Sequence, residues 1–207
     1  MPFCLTAVRQ TAGYGKAGRS WSGDAGSLCM SLTADVLPEA FPLPLLTLFT
    51  ADVVRRVVAE ETGIQLDIKW PNDLYHAGKK IGGILIQATT KAARTRLIMG
   101  IGLNVNQADF ADELADTASS LFLISGQPYA VDMLTQRIAT RFQTIPTQAS
   151  VIPNDLRDAC ITLGQDVRIL TPQGEISGRA VALSPVGGLI LQNGDQSTEI
   201  LEGTVCA

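Results

Sequence analysis

Two groups of residues in this chain carry chemistry. The first lies in residues 10–21, Gln-Thr-Ala-Gly-Tyr-Gly-Lys-Ala-Gly-Arg-Ser-Trp, which gather Gly13, Gly15 and Gly18 around Lys16, Arg19 and Trp21. Glycine lacks the Cβ that bars unusual backbone angles, so main-chain N–H groups there can come close to a ligand. Two cations beside that bare backbone make an anion cradle, suited to phosphates. The indole adds a flat surface for stacking. A flexible surface loop is the competing fate of such a stretch. Gly13-x-Gly15-x-x-Gly18 also has the spacing of the dinucleotide fingerprint, which needs a helix opening inside the motif. The next residues are instead Arg19-Ser-Trp-Ser-Gly-Asp-Ala-Gly-Ser, without an apolar helical period, and no βαβ unit separates the motif from Asp35. A Walker A loop fails as well, because Lys16 lacks the preceding G-x-x-x-x-G and the following Ser or Thr.

The second group is Lys69-Trp70-Pro71-Asn72-Asp73-Leu74, followed by Lys80-Ile81-Gly82-Gly83-Ile84-Leu85. Trp-Pro ends a strand abruptly and turns Asn72 and Asp73 toward whatever that sheet end faces. Glycines inside a β run weaken it and often mark a close approach of a ligand to the backbone. Lys80, just before Gly82 and Gly83, brings an ammonium to that place. A bulged hairpin with solvated lysines is the plainer alternative.

These groups need elements to hold them. Residues 3–8 read as a strand feeding the glycine-rich stretch, and residues 27–36 alternate Leu28, Met30 and Leu32 on one face of a second strand. A Pro-punctuated connection at 37–44 leads into a helix over 45–61, stopped by Gly63. Further strands are expected at 65–70, 80–89 and 96–105, close enough in sequence to pair antiparallel. Residues 109–117 read as a short helix or turn, and 128–144 as a second long helix. Composition shifts near Pro146. From Leu163 on, short strands at 167–170, 178–184, 189–192 and 198–201, about five in all, alternate with turn residues and describe a small SH3-like β-barrel. The fold class is therefore α+β, a mixed but mainly antiparallel sheet with helices plus a small barrel, divided at 1–150 and 160–207.

The 207 residues, 46% of them hydrophobic, suffice for one medium domain with an appendage. A net charge of -4 argues against broad nucleic-acid binding. No apolar run approaches the ~20 residues of a membrane span, and nothing at the N-terminus resembles a signal peptide. Cys4, Cys29, Cys160 and Cys206 are scattered, with His76 as the only histidine. They read as small buried residues of a reduced, cytoplasmic protein rather than as zinc ligands or a disulfide framework.

Taken together, the motifs resemble the catalytic domain of the biotin protein ligases. That family's Gly-Arg-Gly-Arg-x-Gly-Arg-x-Trp loop aligns with Gly13 to Trp21, with Gln10 at its biotin-side glutamine. Lys-Trp-Pro-Asn-Asp-Leu stands unaltered from Lys69 to Leu74. Lys-x-x-Gly-Ile-Leu is Lys80 to Leu85, and Gly-x-Gly-x-Asn is Gly100 to Asn104. Ser119-Ser120-Leu121 and the C-terminal barrel with Gly203 also fit, so the resemblance covers nearly the whole chain. Lipoate ligases share the fold and lack the Lys-Trp-Pro-Asn-Asp segment.

The resemblance implies an enzyme of the biotin–[acetyl-CoA-carboxylase] ligase type. It would join biotin to ATP with Mg²⁺, then pass biotin from biotinyl-5′-AMP to a lysine of a biotin carboxyl carrier protein. It implies Lys80, Lys16 and Asp73 as catalytic residues, and Gln10, Gly13, Lys16, Lys80 and Gly83 on the biotin side. Arg19, Trp21 and Asn104 would bind the nucleotide, and no residue is assigned as a metal ligand. The glycine-rich stretch becomes a lid that orders over the adenylate and excludes water. A monomer or homodimer is expected, with no nucleic-acid or membrane partner.

Two departures stand out. Tyr14 and Lys16 replace the first two loop arginines, and lysine lacks the bidentate phosphate grip of arginine. Family domains also begin with a strand and helix carrying a Ser-Thr-Asn motif that holds biotin's ureido ring. This chain starts at what corresponds to the next strand and carries neither that motif nor a DNA-binding domain, which reads as a missing N-terminus. The alternative function is an inactive remnant that binds nucleotide or carrier protein without transfer.

Overall fold

The computed structural model describes residues 3–36, 42–91, 94–142 and 151–206. Residues 37–41 of the expected connection at 37–44, the composition shift near Pro146 and the proposed boundary at 150 lie outside them. Six strands form one sheet: β1 (Phe3–Ala7), β4 (Ser27–Val36), β5 (Asp67–Lys69), β6 (Asp73–His76), β7 (Lys79–Lys91) and β8 (Arg94–Asn104). Their order is β1-β4-β8-β7-β6-β5, with every neighbouring pair antiparallel. Strand β6 was not anticipated, because Leu74 and Tyr75 sit in a segment that reads as a turn between two longer runs.

Alternation along β8 creates two different sheet faces. Leu97, Met99, Ile101 and Leu103 are buried, whereas Ile98, Gly100, Gly102 and Asn104 project from the opposite side. The buried face joins helix α1 (Leu43–Thr62) and helix α4 (Val131–Phe142) in a single core that includes Leu48, Val54, Val58, Leu134 and Ile138. Helix α1 stops at Gly63, which adopts a left-handed φ of 76° as a C-cap requires. Short helices α2 (Asp112–Ala115) and α3 (Leu121–Ser125) line one end of the sheet, and α5 (Asn154–Asp158) docks on α1 through Arg55, Arg56 and Asp155.

One row of the opposite face is almost bare. Register places Asp73, Gly83, Gly102 and Cys29 side by side in one row across β6, β7, β8 and β4. Small residues thus form a floor. Over it folds the glycine-rich stretch, expected as a loop but found as a hairpin of β2 (Gln10–Tyr14) and β3 (Ser20–Gly23). A 3-10 turn at Lys16–Gly18 joins the two strands.

The C-terminal part is a second antiparallel sheet of β9 (Asp166–Thr171), β10 (Gly174–Leu183), β11 (Leu189–Asn193), β12 (Gln196–Ile200) and β13 (Thr204–Cys206), ordered β12-β11-β10-β9-β13. Strands β12 and β13 occupy its opposite edges although only residues 201–203 separate them. Four Cα steps span at most about 14 Å, but the edges of a flat five-stranded sheet stand about 19 Å apart. The sheet must therefore curl, as the expected small barrel does. Trp70 clamps it to the larger sheet, its Nε1–H donating to Gly187 O at 3.1 Å and its main-chain N–H to Thr162 Oγ1 at 2.9 Å. The cysteines are free, and only Cys29 and Cys160 are buried. Cys4 is exposed, against expectation, because all five residues of β1 face solvent.

Candidate active site

The hairpin and the small-residue floor enclose a cavity of about 300 Å³. At one end, Lys80 Nζ donates to Asp73 Oδ1 at 2.7 Å. Both groups crowd the space above Gly83, where a Cβ would stand 3.2 Å from Asp73 Oδ1 and 3.5 Å from Lys80 Nζ. The two adjacent glycines divide their work. Gly83 opens the floor to the cavity, and Gly82 lets β7 lie against β8, since a Cβ there would meet Gly102 O at 2.7 Å. The Lys80 backbone is itself clamped: its N–H donates to Thr117 O at 2.8 Å, and Ser119 N–H donates to its carbonyl at 3.0 Å. Asn72 lines the cavity as well. Its side chain donates to Ile84 O and its carbonyl accepts from Ile84 N–H, which pins the turn before β6 onto β7.

Above the floor, the Trp21 indole lies directly on Gly102, where any Cβ would come within 2.5 Å of Cε2. Gly102 therefore makes room for Trp21. Gly13 does the same within the hairpin, where a Cβ would meet Trp21 O at 2.6 Å, and it does not itself line the cavity. The other eight residues expected at the site do line it: Gln10, Lys16, Arg19, Trp21, Asp73, Lys80, Gly83 and Asn104.

Their availability differs. Arg19 is exposed, and its side chain donates from Nε to Lys16 O at 3.3 Å. Lys16 reaches across to the C-terminal sheet and donates from Nζ to Gly203 O at 2.9 Å. Burial lowers the Lys16 ammonium below the ordinary lysine range; Glu202 opposes this, Arg19 adds to it, and Asp73 opposes it. Asn104 donates from Nδ2 to Ser119 O at 3.0 Å and accepts at Oδ1 from Gln107 Nε2 at 3.2 Å. Tyr14, at the position of a family arginine, also lines the cavity, with its hydroxyl 3.2 Å from Gln87 Oε1.

Several contributors escaped the sequence reading. Gly102 lay inside a recognised motif without a role. The carbonyls of Thr117, Ser119 and Gly203 are main-chain groups, which no side-chain pattern announces. Among the described residues no cluster of three or more His, Cys, Asp or Glu side chains could hold a metal, and Asp73 is the one carboxylate lining the cavity. A single carboxylate suits Mg²⁺ delivered on nucleotide phosphates, which keeps several waters, and does not suit a resident ion.

Residues 1–104 match the model of the Biotin/lipoate A/B protein ligase family. The chain belongs to this family. Residues 162–205 match the biotin protein ligase C terminal domain, so the ligase-type catalytic sheet and the curled C-terminal sheet are both accounted for. Among relatives, the family member is 34% identical to the bifunctional ligase/repressor BirA of Bacillus subtilis, over 97% of this chain but 65% of that protein. It is 29% identical to the biotin–[acetyl-CoA-carboxylase] ligase of Mycobacterium tuberculosis, over 97% of this chain and 77% of that one. A solved biotin protein ligase from Aquifex aeolicus in complex with biotin and ATP superposes with a TM-score of 0.83 at 31% identity, covering 98% of this chain and 87% of the other. The Helicobacter pylori enzyme with bound biotinylated ATP shares the fold at a TM-score of 0.69 and 20% identity.

Proposed function

We propose that this ligase-family chain activates biotin with ATP and transfers it to a lysine of a biotin carboxyl carrier protein, such as that of acetyl-CoA carboxylase. The observation that carries the reading is the Lys80–Asp73 pair standing over Gly83 in the cavity that also receives Lys16 and Trp21. In the first step a biotin carboxylate oxygen attacks the α-phosphorus and the bond to pyrophosphate breaks. Two anions must meet, so a cation has to stand between them. Lys80 supplies it, held by Asp73 and by a clamped backbone. Lys16 supplies a second by exchanging Gly203 O for phosphate oxygens, and Arg19 adds charge from the exposed edge of the turn.

Mg²⁺ arriving with ATP would offset charge on the departing pyrophosphate. Trp21, backed by Gly102, offers its free face to the base, while Asn104 provides polar contacts there. Gln10 and Gly83 line the biotin end. In the second step the carrier lysine amine attacks the acyl carbon and AMP leaves, with Asp73 positioned to orient that amine as it loses its proton. Residues 1–150 would supply this chemistry, and residues 160–207 would back the hairpin. ATP and the carboxylase subunit are cytoplasmic reactants, and we take the cytoplasm as its location, as a monomer or homodimer.

The test is direct. The 207-residue chain is incubated with ATP, biotin and a carrier domain, with lipoate and a Lys→Arg carrier as controls. Biotin on the carrier lysine alone is the expected result. Nucleotide binding without labelled carrier would sink the transfer reading and leave a binding protein.

A further inference from the structure

We propose that Gln107 is a positioning residue that, together with the Ser119 carbonyl, holds the orientation of the Asn104 amide and thereby makes the nucleotide end of the cavity select adenine over guanine. The proposal rests on Asn104 facing the base. Ser119 O can only accept, so the Asn104 atom 3.0 Å away must be the donor Nδ2. That leaves Oδ1 toward Gln107, whose Nε2 donates to it at 3.2 Å and also to Ser27 Oγ at 2.6 Å. The opposite amide orientation of Gln107 would press Oε1 against Asn104 Oδ1, two acceptors without a proton between them.

Holding the favoured orientation has a visible cost. Gln107 Oε1 is buried and has no hydrogen-bond partner among the described residues. A buried unpaired acceptor is unfavourable, and it persists where surrounding contacts over-determine it. Asn104 Oδ1, an acceptor, makes that demand on the Gln107 amide. The Gln107 main chain is held separately by Ser120 Oγ, which donates to Gln107 O at 2.6 Å while accepting from Leu123 N–H at 3.0 Å, which caps α3. Asn104, Gln107, Ser27 and Ser120 are all buried, and Gln107 does not line the cavity, so it acts through Asn104 alone.

After these bonds the Asn104 amide retains one N–H and one oxygen lone pair, in an order set by Ser119 and Gln107. A fixed donor–acceptor pair complements the N7 acceptor and N6 donor of adenine. The same edge of guanine shows two acceptors, N7 and O6.

The test measures kcat/KM with ATP and with GTP by pyrophosphate release for wild type, Asn104→Ala, Gln107→Leu and Gln107→Glu. The ATP/GTP ratio within one preparation does not depend on how much of it is folded. Wild type should favour ATP, and Asn104→Ala should lose that preference. Gln107→Leu should lower the ratio about tenfold with the KM for biotin unchanged, an effect on the scale of one or two hydrogen bonds. Gln107→Glu, nearly isosteric but offering acceptors where a donor stood, should lower it further. An unchanged ratio in both Gln107 variants, or equal losses with ATP and GTP, overturns the positioning role even where Asn104→Ala behaves as expected. An unchanged ratio in Asn104→Ala overturns the base-facing reading and this proposal together, while the biotin-transfer assay still judges the ligase reading on its own.

Discussion

At the scale of single residues, the site depends on small side chains being absent as much as on charged ones being present. Lys80 and Asp73 meet above Gly83, and Trp21 rests on Gly102, so each functional group has a glycine beneath it. Replacing Lys80 with Met should cut adenylate formation by at least about a hundredfold, the scale of losing one preorganised charge contact in a water-poor site. Pyrophosphate release with saturating biotin and ATP checks this; a loss of less than threefold would remove Lys80 from the chemistry. Lys80, Gly83 and Asn104 were legible in the sequence because motif spacing fixes them locally. The row Asp73–Gly83–Gly102–Cys29 was not, because it exists only once the consecutive strands β6, β7 and β8 and the distant β4 take one register. Gln107 was equally hidden: its role lies in bonds to Asn104 and Ser27, the latter 80 residues away.

At the scale of elements, the glycine-rich stretch is the main difference between expectation and structure. Gly and polar residues have weak strand preference, so residues 10–23 look like a loop when read alone. They pair because Gly13 and Gly23 let the two strands and the floor approach closely, a Cβ at Gly23 coming within 2.9 Å of Cys29 Sγ. The resulting hairpin is fastened at its turn by Lys16 on Gly203. Lys16→Arg should then slow release of the adenylate, since a guanidinium holds phosphate bidentately, and Lys16→Met should speed it. Release rates in a single-turnover experiment without carrier decide the point; equal rates in all three proteins would show that the turn does not retain the intermediate. The dependence on pH has a definite sign. Burial depresses the Lys16 ammonium in the folded protein, so in the interval between the folded and the ordinary lysine value the unfolded chain binds more protons. This group's contribution to stability therefore rises with pH across that interval. Its grip on phosphate weakens as pH rises through the lowered value, below the ~10.4 of an ordinary lysine, whereas the Arg variant keeps its charge.

At the scale of the whole molecule, the two sheets are joined where Trp70 and α1 both seat on the turn between β10 and β11. Gly187 accepts the Trp70 Nε1–H bond, has a φ of +85°, and presses against the main chain of Leu45. Any Cβ there would be strained twice over, by backbone angle and by contact. Gly187→Ala should cost more than about 2 kcal/mol, read from urea midpoints, and wild type should lose Trp70 fluorescence and β-sheet ellipticity in one transition. Separate transitions would mean that the two sheets fold independently. The C-terminal strands were legible from their turn residues, but this joint was not, because Trp70 announces a strand end and nothing local names its partner 117 residues on. The Lys16–Gly203 contact also ties the hairpin turn to the residue just before β13. Gly203 directly precedes β13, whose Thr204 and Val205 pair with Leu170 and Ile169, so the turn over the cavity is held by an edge strand of the second sheet. A dye on Cys206, in a protein whose exposed Cys4 is serine, would ride on that same edge strand and should change brightness when the hairpin lets go, giving a place from which to watch turnover.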